Sequence, residues 1–143
     1  MKSKILVFLQ FFIIFLMILP LGSAVTHPYL GVTVFVFGGL IGLMAIAAHE
    51  RGNFNIRPDI KEKCVLVTHG IYAYVRHPMY LSVLLMMLGV SLVYFTYYEL
   101  ILYLFLIIVL LVKLFYEEGL WQCYSQEYIE YKKKTKRLIP FLF

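Results

Sequence analysis

Long apolar blocks separated by polar stretches dominate the chain. Four blocks cover residues 5–25, 29–48, 79–98 and 100–116, and the one charged residue among them is Lys113. Each block is close to the roughly 17–25 residues that an α-helix needs to cross a bilayer. The pattern therefore predicts an all-α, polytopic membrane protein with about four transmembrane helices.

Two longer polar stretches interrupt or follow these blocks. A loop covers residues 49–78 and a tail covers residues 117–143, whereas a short link around Glu99 joins the last two helices into a hairpin. The tail repeats apolar or aromatic residues at spacings of three or four, which predicts an amphipathic helix lying along the membrane surface. The repeat consists of Leu120, Tyr124, Tyr128 and Tyr131. We expect a single integral membrane domain over residues 1–143.

The composition supports a membrane protein. Hydrophobic residues make up 62% of the chain and charged residues 15%, whereas soluble proteins have about 45–50% and about 25%. The formal net charge is +5, and the basic residues flank the apolar blocks, where they face anionic headgroups. Since the sequence contains no nucleic-acid recognition module, we expect membrane lipids, and no nucleic acid, as partners.

Lysine and arginine are distributed unevenly between the connecting segments. They occur in the first four residues, in the 49–78 loop and at residues 132–137, and they are absent from the other two connections. The positive-inside rule then predicts cytoplasmic N- and C-termini. The start of the chain, with small residues at 22–24, also resembles a cleavable signal peptide. Its long apolar core favours a retained helix, and both alternatives remain open.

The two cysteines indicate neither a disulfide nor a metal site. Cys64 and Cys123 lack metal-ligand spacing and lie in segments predicted to be cytoplasmic, where thiols stay reduced. Histidine and glutamate side chains at residues 69–77 and 117–118 are of the type that binds zinc. This alternative is weaker, and we predict no metal site.

Polar side chains are scarce and gather in two segments, at residues 49–80 and 117–140. The first includes residues 66–80, which read Leu-Val-Thr-His-Gly-Ile-Tyr-Ala-Tyr-Val-Arg-His-Pro-Met-Tyr. Pro78 disfavours helix at the residue before it and suits the first turn of a helix, so the third helix is predicted to begin there. Arg76 and His77 then lie at the N-terminus of this helix, where free N–H groups and the helix dipole favour an anion. A carboxylate or a phosphate would fit.

Two adjacent carboxylates, Glu117 and Glu118, follow the fourth block. Because the last two helices form a hairpin, Pro78 and Glu117 should lie at the same membrane face. Two carboxylates at this level are costly unless a cation compensates them. Lys113, one turn earlier, is a structural explanation, although its long stem could also extend to the headgroups. A ligand ammonium, ribose hydroxyls or a metal are functional explanations, and both kinds remain open.

An anion pocket beside an acidic pair, with Tyr72, Tyr74 and Tyr80 nearby, matches the parts of S-adenosylmethionine. This cofactor has a carboxylate, an ammonium, ribose hydroxyls, a stacking adenine and a sulfonium that aromatic faces attract. A nicotinamide cofactor would satisfy much of the same chemistry. Soluble cofactor folds are excluded, because the sequence has no dinucleotide fingerprint, no Walker sequence and no room for a doubly wound sheet.

These residues resemble a known family. The pattern G-x-Y-x-x-x-R-H-P-x-Y, found here from Gly70 to Tyr80, is similar to the cofactor-binding segment of the isoprenylcysteine carboxyl methyltransferases and phospholipid methyltransferases. The end of the chain is similar to theirs as well. The matching residues there are Glu117-Glu118, Tyr128, Tyr131 and Arg137-Leu138-Ile139-Pro140.

The resemblance implies a membrane enzyme that transfers a methyl group from S-adenosylmethionine to a lipophilic acceptor entering from the bilayer, at the cytoplasmic face. The acceptor would be an isoprenoid or prenylcysteine-like carboxylate or a phospholipid amine. A carboxylate needs no general base, whereas an amine must lose a proton, for which His77 is the candidate. The implied catalytic residues are Arg76 and His77. The implied cofactor-binding residues, partly covered by the C-terminal segment, are His69, Gly70, Tyr72, Arg76, His77, Pro78, Tyr80, Glu117 and Glu118.

The chain departs from the family pattern at two places. Ser82 stands where many relatives have glycine, and residues 123–126 replace the more usual Phe-Gly ahead of the tail tyrosines. Two other functions remain as alternatives, namely an NADPH-dependent reductase on a related membrane fold and a non-catalytic membrane subunit. The identity of the acceptor and the oligomeric state also remain open.

Overall fold

The computed structural model describes residues 2–19, 25–49 and 66–140. In these ranges the chain forms five α-helices and one 3-10 turn, so the predicted all-α class is confirmed. The helices are α1 (Lys2–Ile18), α2 (Pro28–Ala47), α3 (Pro78–Val93), α4 (Tyr97–Tyr124) and α5 (Gln126–Lys134), and the turn is Gly70–Ala73. Most of the predicted 49–78 loop, at residues 50–65, lies outside the described residues.

Three helices begin at residues whose chemistry favours a helix start. α2 and α3 each have proline at the first position, where its fixed φ suits the helix and its missing N–H is not needed. α4 follows Thr96, whose hydroxyl accepts a hydrogen bond from the Glu99 N–H at 3.1 Å, as an N-cap residue does. The predicted start of the third helix at Pro78 is confirmed.

Two of the described helices, α2 and α4, are long and apolar enough to cross a membrane, rather than the four predicted. α1 has 17 residues and α3 has 16, against the roughly 17–25 of a typical span. α1 ends at Ile18, and residues 20–24 of its predicted range lie outside the described residues. α3 ends at Val93 rather than at residue 98, because residues 94–96 turn the chain before α4.

α4 continues well beyond its predicted end at residue 116 and reaches Tyr124. Half of the eight residues added at this end are good helix formers, namely Glu117, Glu118, Leu120 and Gln122. Glu117 and Glu118 therefore lie within a helix and do not close it. Ser125 separates α4 from α5.

α2 and α3 lie backbone to backbone. A Cβ atom on Gly38 would come within 2.8 Å of the Met86 nitrogen, and one on Gly89 within 2.6 Å of the Gly31 oxygen. Such approaches are typical of small residues between membrane helices. Ser82 also belongs to this interface, since its hydroxyl donates to the Gly38 carbonyl at 2.7 Å. The Ser82 departure thus adds a bond between α2 and α3.

α1 packs mainly against α4, through larger side chains. Their shared core, with one residue of α3, consists of Ile13, Met17, Met87, Leu106 and Leu110. Large apolar side chains also cover the outer faces of the helices, and Phe8, Leu43 and Ile108 are each more than half exposed. Continuous exposed apolar surface of this kind suits contact with lipid.

Candidate active site

The first turn of α3 and the later part of α4 meet at one end of the helices, here called the motif end (residues 76–80 and 117–118). The Tyr80 hydroxyl donates to Glu117 Oε2 at 2.7 Å. His77 Nε2 lies 3.5 Å from Glu118 Oε1, and the His77 and Tyr80 rings stack with centroids 5.3 Å apart. The predicted proximity of the Arg-His-Pro motif and the glutamate pair is confirmed.

Arg76 is bound inside the protein. Its side chain is 5% exposed, and its Nε donates to Glu118 Oε1 at 2.9 Å. Its Nη1 donates to the backbone carbonyls of Lys132, at 3.2 Å, and Thr135. Arg137 Nε brings a second cation to Glu118, 3.2 Å from Oε2. Glu118 is therefore buried between two guanidinium groups, and a buried carboxylate needs such pairing.

Backbone hydrogen bonds align the tail with the segment before α3. The N–H of Arg76 donates to the Lys136 carbonyl at 2.8 Å, and the N–H of His77 donates to the Arg137 carbonyl at 3.0 Å. The N–H of Lys136 donates in return to the Tyr74 carbonyl at 3.3 Å. These bonds accompany an isolated parallel β-bridge. The two sequence motifs behind the family resemblance are therefore in direct contact.

Several of the donors predicted to form an anion site at the start of α3 are bound within the protein. The His77 N–H is bound to the tail, and the N–H groups of Tyr80 and Leu81 both donate to the His77 carbonyl at 3.1 Å. The Arg76 guanidinium is bound to a carboxylate and to tail carbonyls. The prediction of free N–H groups is wrong at these three residues. Direct contact of Arg76 or His77 with a ligand stays a prediction.

α5 turns its tyrosines into the protein. Tyr128 and Tyr131 are 2% and 8% exposed, and the Tyr131 hydroxyl donates to the Tyr72 carbonyl at 2.6 Å. The Tyr128 ring stacks on Trp121 at 5.9 Å, and burial raises the pKa of Tyr131 to about 12. The prediction that the tyrosine face of this helix lies on the membrane surface is therefore wrong for these two residues, because they pack against the protein at the motif end. Tyr124, where α4 ends, is 55% exposed.

His49, which lies just after α2, also belongs to this region, although no sequence motif indicated it. Its Nε2 is 2.9 Å from the Tyr72 hydroxyl, and the two rings meet edge to face at 5.2 Å. Burial lowers the pKa of His49, although the negative charge of Glu117 opposes the shift. Burial likewise raises the pKa of Tyr72. The one signal available in the sequence was the position of this histidine at the polar end of an apolar block.

The turn Gly70–Ala73 decides which side chains of the motif face inward. Gly70 has a φ of 61°, in the left-handed region that glycine adopts readily. The turn buries Tyr72, leaves the Tyr74 ring 65% exposed and leaves His69 exposed. Ligand contacts by Gly70 and His69 stay predictions.

Lys113 points into the helices and not toward the headgroups. It is 1% exposed, its Nζ donates to Gln10 Oε1 of α1 at 2.5 Å, and its Nζ lies 5.2 Å from the centroid of the Tyr80 ring. The predicted extension to the headgroups is wrong, because polar and aromatic partners lie within reach inside the protein. In the sequence, Gln10 is a polar interruption of the first apolar block, and no pattern there indicated its contact with Lys113.

Metal ligands are sparse in the described part of the chain. In residues 2–19, 25–49 and 66–140, no group of three or more His, Cys, Asp or Glu side chains could hold a metal ion. Cys123 is a free and exposed thiol, and Cys64 lies outside these ranges.

Comparison with known families decides the class of protein. The model of the phospholipid methyltransferase family matches residues 26–127, which contain α2, α3, α4 and the motif end. The chain belongs to the phospholipid methyltransferase family. The resemblance in the sequence is therefore confirmed. Among curated proteins the chain has no match.

Membership in the phospholipid methyltransferase family makes this a membrane methyltransferase by class, and the apolar helices α2 and α4 agree with that class. Proteins of the family generally use S-adenosylmethionine as methyl donor. The match leaves out α1 and the residues after 127. The residues after 127 nevertheless contact the motif end directly, through Arg76, and α1 contacts Lys113, whose Nζ lies over the Tyr80 ring.

Proposed function

We propose that this phospholipid methyltransferase family member transfers a methyl group from S-adenosylmethionine to a lipophilic acceptor at the cytoplasmic membrane face. The acceptor is a phospholipid amine or an isoprenoid or prenylcysteine-like carboxylate. One observation carries the proposal. The Arg-His-Pro motif, the glutamate pair and the tail form a single, largely buried cluster that contains polar atoms without hydrogen-bond partners among the described residues.

The residues of this cluster fit the cofactor. His77 Nε2 and the Tyr128 hydroxyl are buried and have no hydrogen-bond partner among the described residues, since Glu118 at 3.5 Å is beyond the usual bond length. An unsatisfied buried polar group costs about 1–3 kcal/mol, so these two atoms favour a polar ligand. The hydroxyl and carboxylate groups of S-adenosylmethionine are suitable partners for both.

The two glutamates differ in accessibility, and this suggests different roles. The Glu117 side chain is 29% exposed and that of Glu118 is 3% exposed. We expect Glu117, oriented by the Tyr80 hydroxyl, to accept hydrogen bonds from the ribose hydroxyls or the ammonium group of the cofactor. Glu118 and its two arginine partners, Arg76 and Arg137, hold α4, the start of α3 and the tail together around the site. Tyrosine rings in the same cluster can attract the sulfonium.

Bound S-adenosylmethionine would supply an electrophilic methyl group on sulfur. The protein contributes an aligned approach and protection from water, which can supply much of a rate enhancement. A carboxylate acceptor attacks without losing a proton. An ammonium acceptor must lose one first, and the imidazole of His49, whose pKa burial lowers, can accept it in its neutral form. His77 is the second candidate for this role.

The distribution of basic residues supports a cytoplasmic site. The motif end lies beside α5, whose last turn contains Lys132, Lys133 and Lys134, and basic residues favour the cytoplasmic side. The exposed apolar faces of α2 and α4 suit contact with the bilayer from which the acceptor would arrive.

Calorimetric titration of the purified protein in detergent with S-adenosylhomocysteine, the demethylated product of the donor, tests the proposal. We expect saturable binding that Glu117→Gln abolishes and that Glu127→Gln, a matched change at an exposed position of α5, leaves intact. Binding of NADPH in place of S-adenosylhomocysteine would favour a reductase. Folded protein that binds neither would overturn the proposal in favour of a non-catalytic subunit.

Labelled methyl donor then identifies the acceptor. Vesicles containing phosphatidylethanolamine and micelles containing a prenylated carboxylic acid are offered in parallel to the same protein. Label in the lipid headgroup assigns the amine, and label that mild alkali releases as methanol assigns the carboxylate ester. The amine reaction should fall most in His49→Ala, whereas the carboxylate reaction should not require this histidine.

A further inference from the structure

A pair of buried polar side chains links α1 to the motif end. Gln10 is 6% exposed and Lys113 is 1% exposed, and their Oε1 and Nζ atoms are 2.5 Å apart. A charged or amide group at membrane depth is costly and is usually retained for a purpose. This contact joins residues 103 positions apart in the chain, so it fixes the rotation of α1 against α4.

The link continues from Lys113 to the proposed cofactor site. The Lys113 ammonium lies 5.2 Å from the centroid of the Tyr80 ring, within the range of a cation–π contact. Tyr80 in turn donates to Glu117 Oε2 at 2.7 Å and stacks on His77 at 5.3 Å. One ring therefore contacts the buried cation, the accessible carboxylate and the motif histidine.

We propose that Gln10 and Lys113 are positioning residues for cofactor binding, and that α1 is thus a working part of the site. Gln10 holds the Lys113 ammonium against Tyr80, and Tyr80 holds the Glu117 carboxylate in the orientation that accepts the ligand. The positive charge of Lys113 also offsets the negative charge of Glu117 in an apolar setting. The inference rests on the proposed function, and it assigns a role to a helix that the family match leaves out.

The closing experiment measures S-adenosylhomocysteine affinity in four variants. Lys113→Met should weaken binding roughly ten- to thirty-fold, because a desolvated cation–π contact and a charge are lost. Lys113→Arg, which keeps the cation, should recover most of the affinity. Gln10→Leu should weaken binding about threefold in the wild-type background and not at all in the Lys113→Met background, since the two residues act in series.

Two additions separate positioning from general stability. Lys133→Met removes an exposed lysine paired with Glu130 on α5, and it should change neither affinity nor unfolding temperature. Hydrogen exchange of the ligand-free protein should rise over residues 79–82 in Lys113→Met and stay unchanged in Lys133→Met. This second measurement needs no ligand.

The outcomes distinguish the inference from the function on which it rests. If the wild type binds S-adenosylhomocysteine and the Lys113→Met and Gln10→Leu variants bind equally well, the inference is overturned and the proposed function stands. If folded wild type does not bind, the proposed function fails, and unchanged hydrogen exchange in Lys113→Met would overturn the coupling to Tyr80 as well. Weaker binding with restored affinity in Lys113→Arg supports both.

Discussion

The two ends of the α2–α3–α4 assembly are built in opposite ways. At the motif end, charged side chains meet, and Glu118 lies between Arg76 and Arg137. At the other end, here called the glycine end (residues 26–31 and 89–93), the helices touch at glycines, which have no side chain, and Gly31 faces Gly89. There the Thr26 N–H and hydroxyl bind the carbonyls at the end of α3 at 2.9 to 3.3 Å.

The difference shows that the contacts that hold the helices together and the polar groups of the candidate site lie in different parts of the fold. Backbone contacts at the glycine end bring α2 and α3 together without using ionisable groups. The motif end can then hold a dense set of charges whose pairing depends on segments distant in sequence. Substitutions at the two ends should therefore differ in their effects on stability and on ligand binding.

Glu118→Ala should cause the largest loss, about 3–5 kcal/mol in the free energy of unfolding, because it leaves the buried Arg76 charge without its partner. Glu117→Gln is the matched change at the neighbouring, more accessible carboxylate, and it should alter stability far less while abolishing cofactor binding. Denaturant titration in detergent measures both. Equal destabilisation by the two changes would contradict the division of roles.

Gly31→Ala should destabilise the glycine end by about 1–3 kcal/mol, as overpacking does. The added Cβ would lie 2.6 Å from the Gly89 oxygen and 2.5 Å from the Val93 side chain. Gly39→Ala is the control, because a Cβ there has nothing within 4 Å and alanine favours a helix over glycine by about 1 kcal/mol. The contrast fails if both changes shift the unfolding free energy alike.

Alkaline pH should release the tail from the motif end. Burial raises the pKa of Tyr131 from 10.0 to about 12, so folding favours the protonated phenol. This contribution to stability is complete below pH 10 and is lost as the pH rises through about 12. Tyrosinate absorbance in the wild type and in Tyr131→Phe isolates the titration, and protease cleavage after the α5 lysines reports release. A phenol that titrates near 10 would show that Tyr131 is not buried in solution.

Thr26→Val should have the smallest effect, about 0.6 kcal/mol, the average measured for hydrogen bonds between membrane helices. The hydroxyl of Thr26 bonds across to the end of α3. Thr33→Val removes a hydroxyl that bonds only within α2 among the described contacts, to Tyr29 at 2.8 Å, and should cost less still. A loss at Thr26 as large as that at Glu118 would remove the distinction between the two ends.

Local patterns were sufficient to predict much of this architecture. The apolar blocks and the helix start at Pro78 follow from composition within short stretches of chain, and the proximity of the first turn of α3 to Glu117 follows from hairpin geometry. The extent of α4 was not predictable from hydropathy, because the helix continues through polar residues once tertiary contacts pair Glu118.

The long-range pairings could not be derived from the sequence. The Gln10–Lys113 contact depends on the relative rotation of α1 and α4, which a nearly uniform apolar pattern does not encode. The hydrogen bonds of Arg76 within the protein depend on where the tail docks. The sequence therefore indicated that these donors bind a ligand, whereas in the structure they bind carbonyls of the tail. The family resemblance identified both motifs but not the contact between them.

The docking of the tail on the segment before α3 has a consequence for biosynthesis. Thr135 follows Arg76 by 59 residues, so at about 5–20 residues per second the ribosome delivers it roughly 3–12 s later. During that interval α3 and α4 can enter the membrane as a hairpin, while the N–H groups of Arg76 and His77 still await their carbonyl partners. For those seconds these two buried N–H groups lack the hydrogen bonds that they make in the folded protein, and quality-control proteins that recognise unpaired backbone could distinguish the inserted chain from the folded one.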